Sequence, residues 1–264
     1  KVTTVSPSYL DEISENANGL EHLLRFERYK SLGILNGIDT DVWNTQTDEM
    51  LHANYTLKNF KKGKAANKAF LCEQFNLDPN LPLFTFIGRL VGEKGADLLP
   101  QICSVALNEF YQKLNILILG SGDTNVERGL QNLQNFYHGN YNTYIGYNEK
   151  LAHIIYAGAD FLLMPSRVEP CGLNQMYALR YGTIPIVRRT GGLKDTVFDI
   201  GDGGFGICHD QTSVFDVNHS ITRAIDLYYD TKLFDQTRKT IMQIDHSWEK
   251  VAEEYIAVYQ SLKN

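Results

Sequence analysis

The chain has 264 residues, 43% hydrophobic and 21% charged with seven prolines, which supports one substantial core or two small ones and excludes disordered or collagen-like classes. A formal net charge of −6 argues against a general nucleic-acid binder, which presents a basic face. The four cysteines, Cys72, Cys103, Cys171 and Cys208, include no CxxC pair and no His at ligand spacing, so a reducing compartment is expected rather than a disulfide framework or a zinc site.

The chain opens on Lys1 and enters directly on the strand-like Val2-Thr3-Thr4-Val5, so its natural start is expected upstream and nothing follows about targeting. Residues 7 to 30 are polar and read as a connector, which ends at Gly33-Ile34-Leu35-Asn36-Gly37-Ile38-Asp39, where Asn-Gly marks a turn. Residues 40 to 62 carry no clear period and read as loop and short helix. From Pro82 onward, short apolar runs alternate with amphipathic ones. Leu83-Phe84-Thr85-Phe86-Ile87 ends at Gly88 as a buried strand, and Leu98, Ile102 and Val105 then recur on one helical face. Further strands are expected at Ile116–Leu119, Asn142–Ile145, Phe161–Met164, Ile184–Val187 and Phe205–Cys208, with helices between them. In the C-terminal third, Val251, Tyr255, Val258, Tyr259 and Leu262 form a helical stripe behind an Asp245-His246-Ser247 cap. No apolar run reaches the roughly 20 residues of a membrane span. The repeated β-α alternation predicts an α/β fold, a Rossmann-like parallel sheet with helices on both faces.

In such a sheet ligands bind beyond the carboxyl ends of the strands, so the residues after each apolar run carry the functional reading. Arg89 and Lys94, five apart in a glycine-bearing loop, suit a bound diphosphate or stand as solvated surface cations. Gly120-Ser121-Gly122-Asp123 lacks the third glycine of a dinucleotide fingerprint, Asn125 standing there, and reads as a tight turn in preference to a dinucleotide loop. Tyr147 follows a strand tip, where it could stack on a nucleobase or simply pack. Glu169 sits on the lip of the next loop, able to accept from sugar hydroxyls or to favour the helix start. The amides of Cys171, Gly172 and Leu173 open that helix and favour a phosphate. Cys171 has no identifiable partner that would make it a nucleophile. Arg188 and Arg189 precede the pair Gly191-Gly192, which could admit a ligand, while the arginines could equally anchor the fold.

The wording of these loops resembles the bacterial glycogen synthases and plant starch synthases. The likeness rests on Ser166-Arg167-Val168-Glu169-Pro170-Cys171-Gly172-Leu173 and on Tyr181–Val197 with its Arg188-Arg189-Thr190-Gly191-Gly192-Leu193 run. It extends to Val5-Ser6-Pro7-Ser8-Tyr9, Leu35–Asp39, Gly88-Arg89-Leu90 with Lys94-Gly95, and Ile145-Gly146-Tyr147. The resemblance implies the C-terminal half of a GT-B fold: residues 1–35 as remnant and linker from a missing N-terminal domain, 36–245 as the nucleotide-sugar-binding domain, and 246–264 as a helix crossing back. It further implies a retaining, metal-independent glucosyltransferase that needs no cofactor, takes ADP-glucose as donor and an α-1,4-glucan as acceptor, and is inactive as an isolated half. A bacterial cytoplasm, or a plastid in a plant, would be its place. Arg89 and Lys94 would neutralise the diphosphate, Glu169 would hold glucose hydroxyls, the backbone at Cys171, Gly172 and Leu173 would bind the distal phosphate, and Tyr147 would stack on adenine. Catalytic roles would fall to Arg89, Lys94 and Glu169. Val168 departs from the family's aromatic, Tyr177 stands where many GT-B transferases carry a second Glu, and residues 200–204 form a shorter loop than in some relatives. A non-catalytic nucleotide- or glucan-binding module and an NAD-linked oxidoreductase are the rival readings, and ADP-glucose against UDP-glucose stays open.

Overall fold

A computed structural model describes residues 1–263. Strands β1 (Val2–Thr4) and β2 (Ser31–Gly33) pair in parallel at one end of the chain. The main sheet holds β3 (Leu83–Leu90), β4 (Asn115–Gly122), β5 (Tyr141–Ile145), β6 (Phe161–Met164), β7 (Ile184–Arg188) and β8 (Ile207–His209), all parallel, in the order β5-β4-β3-β6-β7-β8. That is the doubly wound Rossmann order, with its direction reversing between β3 and β6.

Alternate residues of each strand serve two cores. Phe84, Phe86, Phe161, Leu163, Ile184 and Ile186 face helices α4 (Leu99–Glu109), α5 (Thr124–Leu133) and α9 (Val214–Tyr229). Leu83, Leu162 and Val187 face the opposite layer of α3 (Phe60–Phe75), α6 (Glu149–Gly158), α7 (Asn174–Arg180) and α8 (Gly191–Thr196). Helix α10 (Thr231–Ile241) packs against α9 and α7, and α11 (Trp248–Gln260) closes the described chain. Side-chain caps start the helices where the sequence offers them: Asp123 for α5, Asn148 for α6, Ser213 for α9, Asp230 for α10 and Ser247 for α11.

Three regions depart from the sequence reading. The connector at 7–30 contains α1 (Pro7–Glu15), capped by Ser6, and α2 (Glu21–Phe26). Helix α1 docks on α8: Glu12 Oε1 accepts from Thr190 Oγ1 at 2.9 Å and Gly191 N at 2.8 Å, and Ser8 donates twice to Asp195. The 16 residues of α3 carry no apolar period because its inner face is polar. Lys64 Nζ donates to the carbonyls of Tyr156, Ala157 and Tyr181 and to Thr183 Oγ1, and Lys68 pairs with Asp160 at 2.7 Å. Strands β3 and β4 run on through Leu90 and Gly122, so Gly120-Ser121-Gly122 is strand rather than tight turn. A Cβ on Gly120 would stand 2.2 Å from the Gly88 carbonyl, and one on Gly122 2.4 Å from that of Leu90, which explains the glycines.

The irregular segment 40–59 is held by a ring stack, Trp43 lying between His153 at 3.8 Å and Tyr177 at 3.7 Å. His153 Nδ1 shares a 2.7 Å hydrogen bond with Asp48, to which the Tyr181 hydroxyl also donates. The helical stripe expected here is largely open: on α11 only Val251 is buried and Tyr259 is exposed, and Leu262 lies exposed beyond the end of the helix. No helix of the described residues is long and apolar enough to cross a membrane.

Burial holds two histidines, His209 and His246, down to a pKa of about 4. Their folded values lie below the unfolded value near 6.5, so each contributes stability above that pH and loses it as the pH falls toward 4. The urea midpoint is therefore expected to decline between pH 6.5 and 4, and substituting Phe for His209 should flatten that slope; an unchanged slope in H209F would show that His209 is not its source.

Candidate active site

The crevice lies where the sheet reverses direction, beyond the carboxyl ends of β3 and β6. Arg89 occupies the penultimate position of β3, with its side chain 69% exposed and loosely paired with Glu93 at 3.6 Å. A single turn of 3-10 helix, Gly92–Lys94, follows. Gly95, at φ 67°, lets this turn sit against the loop after β6, since a Cβ there would lie 2.2 Å from the Pro165 carbonyl. The two loops are then stitched together. Arg167 N donates to Glu93 O at 2.8 Å, and the Arg167 guanidinium reaches Gly92 O at 2.6 Å and both carboxylate oxygens of Asp97 at 2.5 and 2.9 Å. From below, Arg188 donates to the carbonyls of Ser166 and Arg167 at 2.7 and 2.5 Å.

This stitching brings Lys94 Nζ to 2.7 and 2.6 Å from the two oxygens of Glu169, and Ser166 Oγ donates to one of them at 3.1 Å. Glu169 is only 6% exposed, so it forms part of the crevice wall rather than its lip. The correction has a physical cause: a carboxylate this buried is held by a cation and a hydroxyl, which replace its water.

Helix α7 begins at Asn174, one residue beyond the amides expected to open it, and it has no side-chain cap. The Gln175 amide donates to the carbonyls of Cys171 at 3.1 Å and Gly172 at 3.0 Å, which engages these oxygens within the turn. Among the described residues no acceptor takes the amides of Cys171, Gly172 or Leu173. Asn174 Nδ2 donates to Ile87 O at 2.7 Å and ties this amide turn to β3.

Two cavities open here. One, of about 220 Å³, is lined by Arg89, Lys94, Glu169, Gly172 and Leu173. Its neighbour, of about 290 Å³, reaches past Ser121 to Gly146 and Tyr147. They share Ile87, Gly88, Arg89 and Asn174. Of the seven predicted site residues, six thus line one continuous crevice, with Tyr147 84% exposed at its far end. Cys171 does not line it. Its thiol is 5% exposed, accepts from Asn36 N at 3.4 Å and is pushed up in pKa by burial. Iodoacetamide is expected to leave Cys171 unmodified in the native protein at pH 8, and rapid labelling on mass analysis would refute that.

Ser166 and Asn174 escaped the residue-by-residue reading. Ser166 stood in the motif without a role, and Asn174 could have been found from its place at the first turn of the helix after the loop. The pair Gly191-Gly192 admits no ligand: it packs under this loop, a Cβ on Gly191 lying 2.1 Å from Glu169 O and one on Gly192 2.0 Å from Cys171 O. Of the arginines, Arg188 holds the loop and Arg189 pairs with Asp210 at 3.0 Å. Gly192→Ala is expected to destabilise the protein by several kcal/mol, about 2 or more, and to weaken any ligand held by the 171–173 turn. Thermal unfolding and nucleotide titration would check both, and a wild-type result in each would refute the packing account. Among the described residues no group of three or more His, Cys, Asp or Glu side chains is placed to hold a metal ion.

A doubly wound sheet with cations and unpaired amides at its switch point defines an open α/β protein with an anion-suited crevice there. Within that class, the chain belongs to the glycosyl transferases group 1 family, whose model matches residues 67–240. It is 63% identical over 258 residues to the glycogen synthase of Flavobacterium johnsoniae, covering 98% of this chain and 54% of that protein. It is 41% identical over 271 residues to glycogen synthase 1 of Rhizobium radiobacter, with 99% and 55% covered. The catalytic domain of starch synthase IV from Arabidopsis thaliana, bound to ADP and acarbose, superposes with a TM-score of 0.90 at 37% identity, over 98% of this chain and 55% of that one. The chain spans about half the length of the curated relatives it matches. Its six-stranded sheet is a Rossmann-like unit of the GT-B architecture.

Proposed function

We propose that this chain is the donor-binding half of a retaining glucosyltransferase of the glycogen or starch synthase type, which moves glucose from ADP-glucose to the non-reducing end of an α-1,4-glucan. The observation that carries the reading is the convergence of Arg89, Lys94, Glu169 and the unpaired amides before α7 on one crevice. Relatives named glycogen synthase and a similar starch synthase structure holding ADP support it.

The geometry supports a role for each of these residues. Tyr147 offers an exposed ring for adenine at one end, Arg89 lies at the junction where the diphosphate would pass, and the amides of Gly172 and Leu173 face its distal phosphate, with Cys171 contributing backbone alone. Lys94 would join Arg89 on the diphosphate, and Glu169, beside it, would hold hydroxyls of the glucose. As the bond from C1 to the diphosphate lengthens, positive charge grows on the sugar and negative charge on the leaving oxygen. Cations and amides already in place stabilise that charge without rearranging. The reading calls on no metal and no cofactor.

We also propose that residues 1–35 belong with an N-terminal domain, that 36–245 form the donor domain, and that 246–264 cross back. The two-stranded β1–β2 pair and the exposed Leu23, Phe26 and Tyr29 near it, with Tyr259 and Leu262 exposed at the other end of the chain, support a covering partner. Calorimetry of ADP and UDP on the full-length polypeptide, followed by labelled-glucan extension, tests the reading. Tighter ADP binding with extension is expected. Binding without transfer would leave a nucleotide- or glucan-binding module instead, and no nucleotide binding would remove the donor site.

A further inference from the structure

A separate cavity, of about 420 Å³, lies at the opposite end of the sheet from the crevice. Asp160, the residue before β6, marks it, and its carboxylate accepts from the amide of Leu83 at the start of β3 at 2.8 Å. Three cations border this space with little exposure: Lys64 and Lys68 from α3 and Arg238 from α10. One buried carboxylate answers them. Asp160 takes Lys68 on one oxygen at 2.7 Å and Arg238 on the other. At the rim, Lys61 pairs with Asp235, so these two cancel.

The donors outnumber their acceptors. Arg238 carries five N–H groups, and the described residues give it one acceptor, Asp160; its Nε is buried with none. The guanidinium lies over the Phe234 ring at 3.9 Å, which fixes the plane of the fork. Lys68 spends one proton on Asp160 and one on the Tyr228 hydroxyl at 3.4 Å, leaving a third. Lys64 is satisfied by three carbonyls and the Thr183 hydroxyl, and first burial and then repulsion from Arg238 push its ammonium well down, so the charge left unbalanced is that of Lys68 and Arg238 against Asp160 alone. Buried positive charge left unbalanced is costly, and a bound anion removes the imbalance.

We propose that this cavity binds a phosphate group, as free inorganic phosphate or as the head of a small phosphomonoester. The guanidinium plane and the spare ammonium proton match the paired oxygens of a phosphate. The exposed ring of Tyr229 flanks the opening, where the body of a monoester would lie. The site is separate from the nucleotide crevice and does not depend on what that crevice binds.

The test is a titration of the full-length polypeptide with inorganic phosphate, with chloride exchanged to hold ionic strength constant. Saturating ADP, or the double variant Arg89→Ala/Lys94→Ala, removes the crevice from the measurement. One saturable phosphate site is expected under both conditions. Lys61→Glu, on an exposed rim residue that does not threaten folding, should weaken it about tenfold while leaving ADP affinity unchanged. Arg238→Lys keeps the charge but loses the fork and should weaken it similarly. Tighter binding of a hexose monophosphate than of inorganic phosphate identifies a monoester as the occupant, and equal binding identifies free phosphate. The proposal is overturned if phosphate does no more than chloride, if ADP or the crevice variant abolishes its binding, or if both Lys61→Glu and Arg238→Lys bind it as the wild type does.

Discussion

Lys94→Ala in the full-length polypeptide is expected to lower kcat by roughly 10²–10³, the scale for losing one preorganised group at a developing negative charge, while the donor KM changes far less. The reason lies in what Lys94 touches. Its ammonium is paired with Glu169, at 2.7 and 2.6 Å, so whatever it gains from a ground-state diphosphate is offset by what it gives up in that pair. Its contribution grows as charge accumulates on the leaving oxygen, which is the signature of transition-state rather than ground-state binding. Arg89, exposed and only loosely paired, should behave differently in degree: Arg89→Ala is expected to raise KM as well as lower kcat. Steady-state kinetics with saturating glucan separate the two. A Lys94→Ala enzyme with unchanged kcat and a raised KM would mean that this lysine only binds donor.

Asp160→Ala should be among the most damaging single changes in the molecule, costing about 3–5 kcal/mol, because it strands two cations in a protein interior. Both oxygens of this carboxylate are engaged, by Lys68, Arg238 and the Leu83 amide, and the residue is 3% exposed. Burial pushes its pKa up, yet Lys68 and Arg238 outweigh burial and hold it below the ordinary value of 3.8. A folded-state pKa below the unfolded one means the contribution is complete above about pH 4 and is lost as the pH falls through the depressed folded value. Urea unfolding at pH 7 should therefore show the full loss in the variant. The difference between wild type and Asp160→Ala should shrink only under strongly acid conditions. A variant within 1 kcal/mol of wild type at pH 7 would contradict the account.

The sheet was legible because its strands are buried on both sides and so read as unbroken apolar runs, as at Phe161–Met164. Their tips were legible too, and the crevice gathers six of the seven residues singled out there. Helix α3 was not, for a reason in its side chains. The inward positions Phe60, Gly63, Lys64, Asn67, Lys68, Leu71 and Cys72 keep helical spacing, but four of the seven are not apolar, and only tertiary partners make those four core residues. Helix α1 was hidden in the same way, since Ser8 and Glu12 dock through hydrogen bonds rather than greasy contact. The burial of Glu169 was invisible because no pattern along the loop reveals that Lys94, 75 residues away, will be its counter-ion. Glycines misled in both directions: Gly120 and Gly122 suggested a turn and serve a strand, and Gly191 and Gly192 suggested an opening and fill a gap.

The contact between Lys94 and Glu169 has a thermodynamic consequence for the proposed donor. Admission of a nucleotide sugar becomes an ion exchange rather than a simple addition: the ammonium trades a carboxylate for a phosphate, and the carboxylate must trade an ammonium for hydroxyls. A ligand that brings phosphate without sugar completes only half the trade and leaves a desolvated anion behind. The intact sugar nucleotide should accordingly hold on more firmly than the bare diphosphate that departs after transfer, a difference that favours product leaving over product lingering.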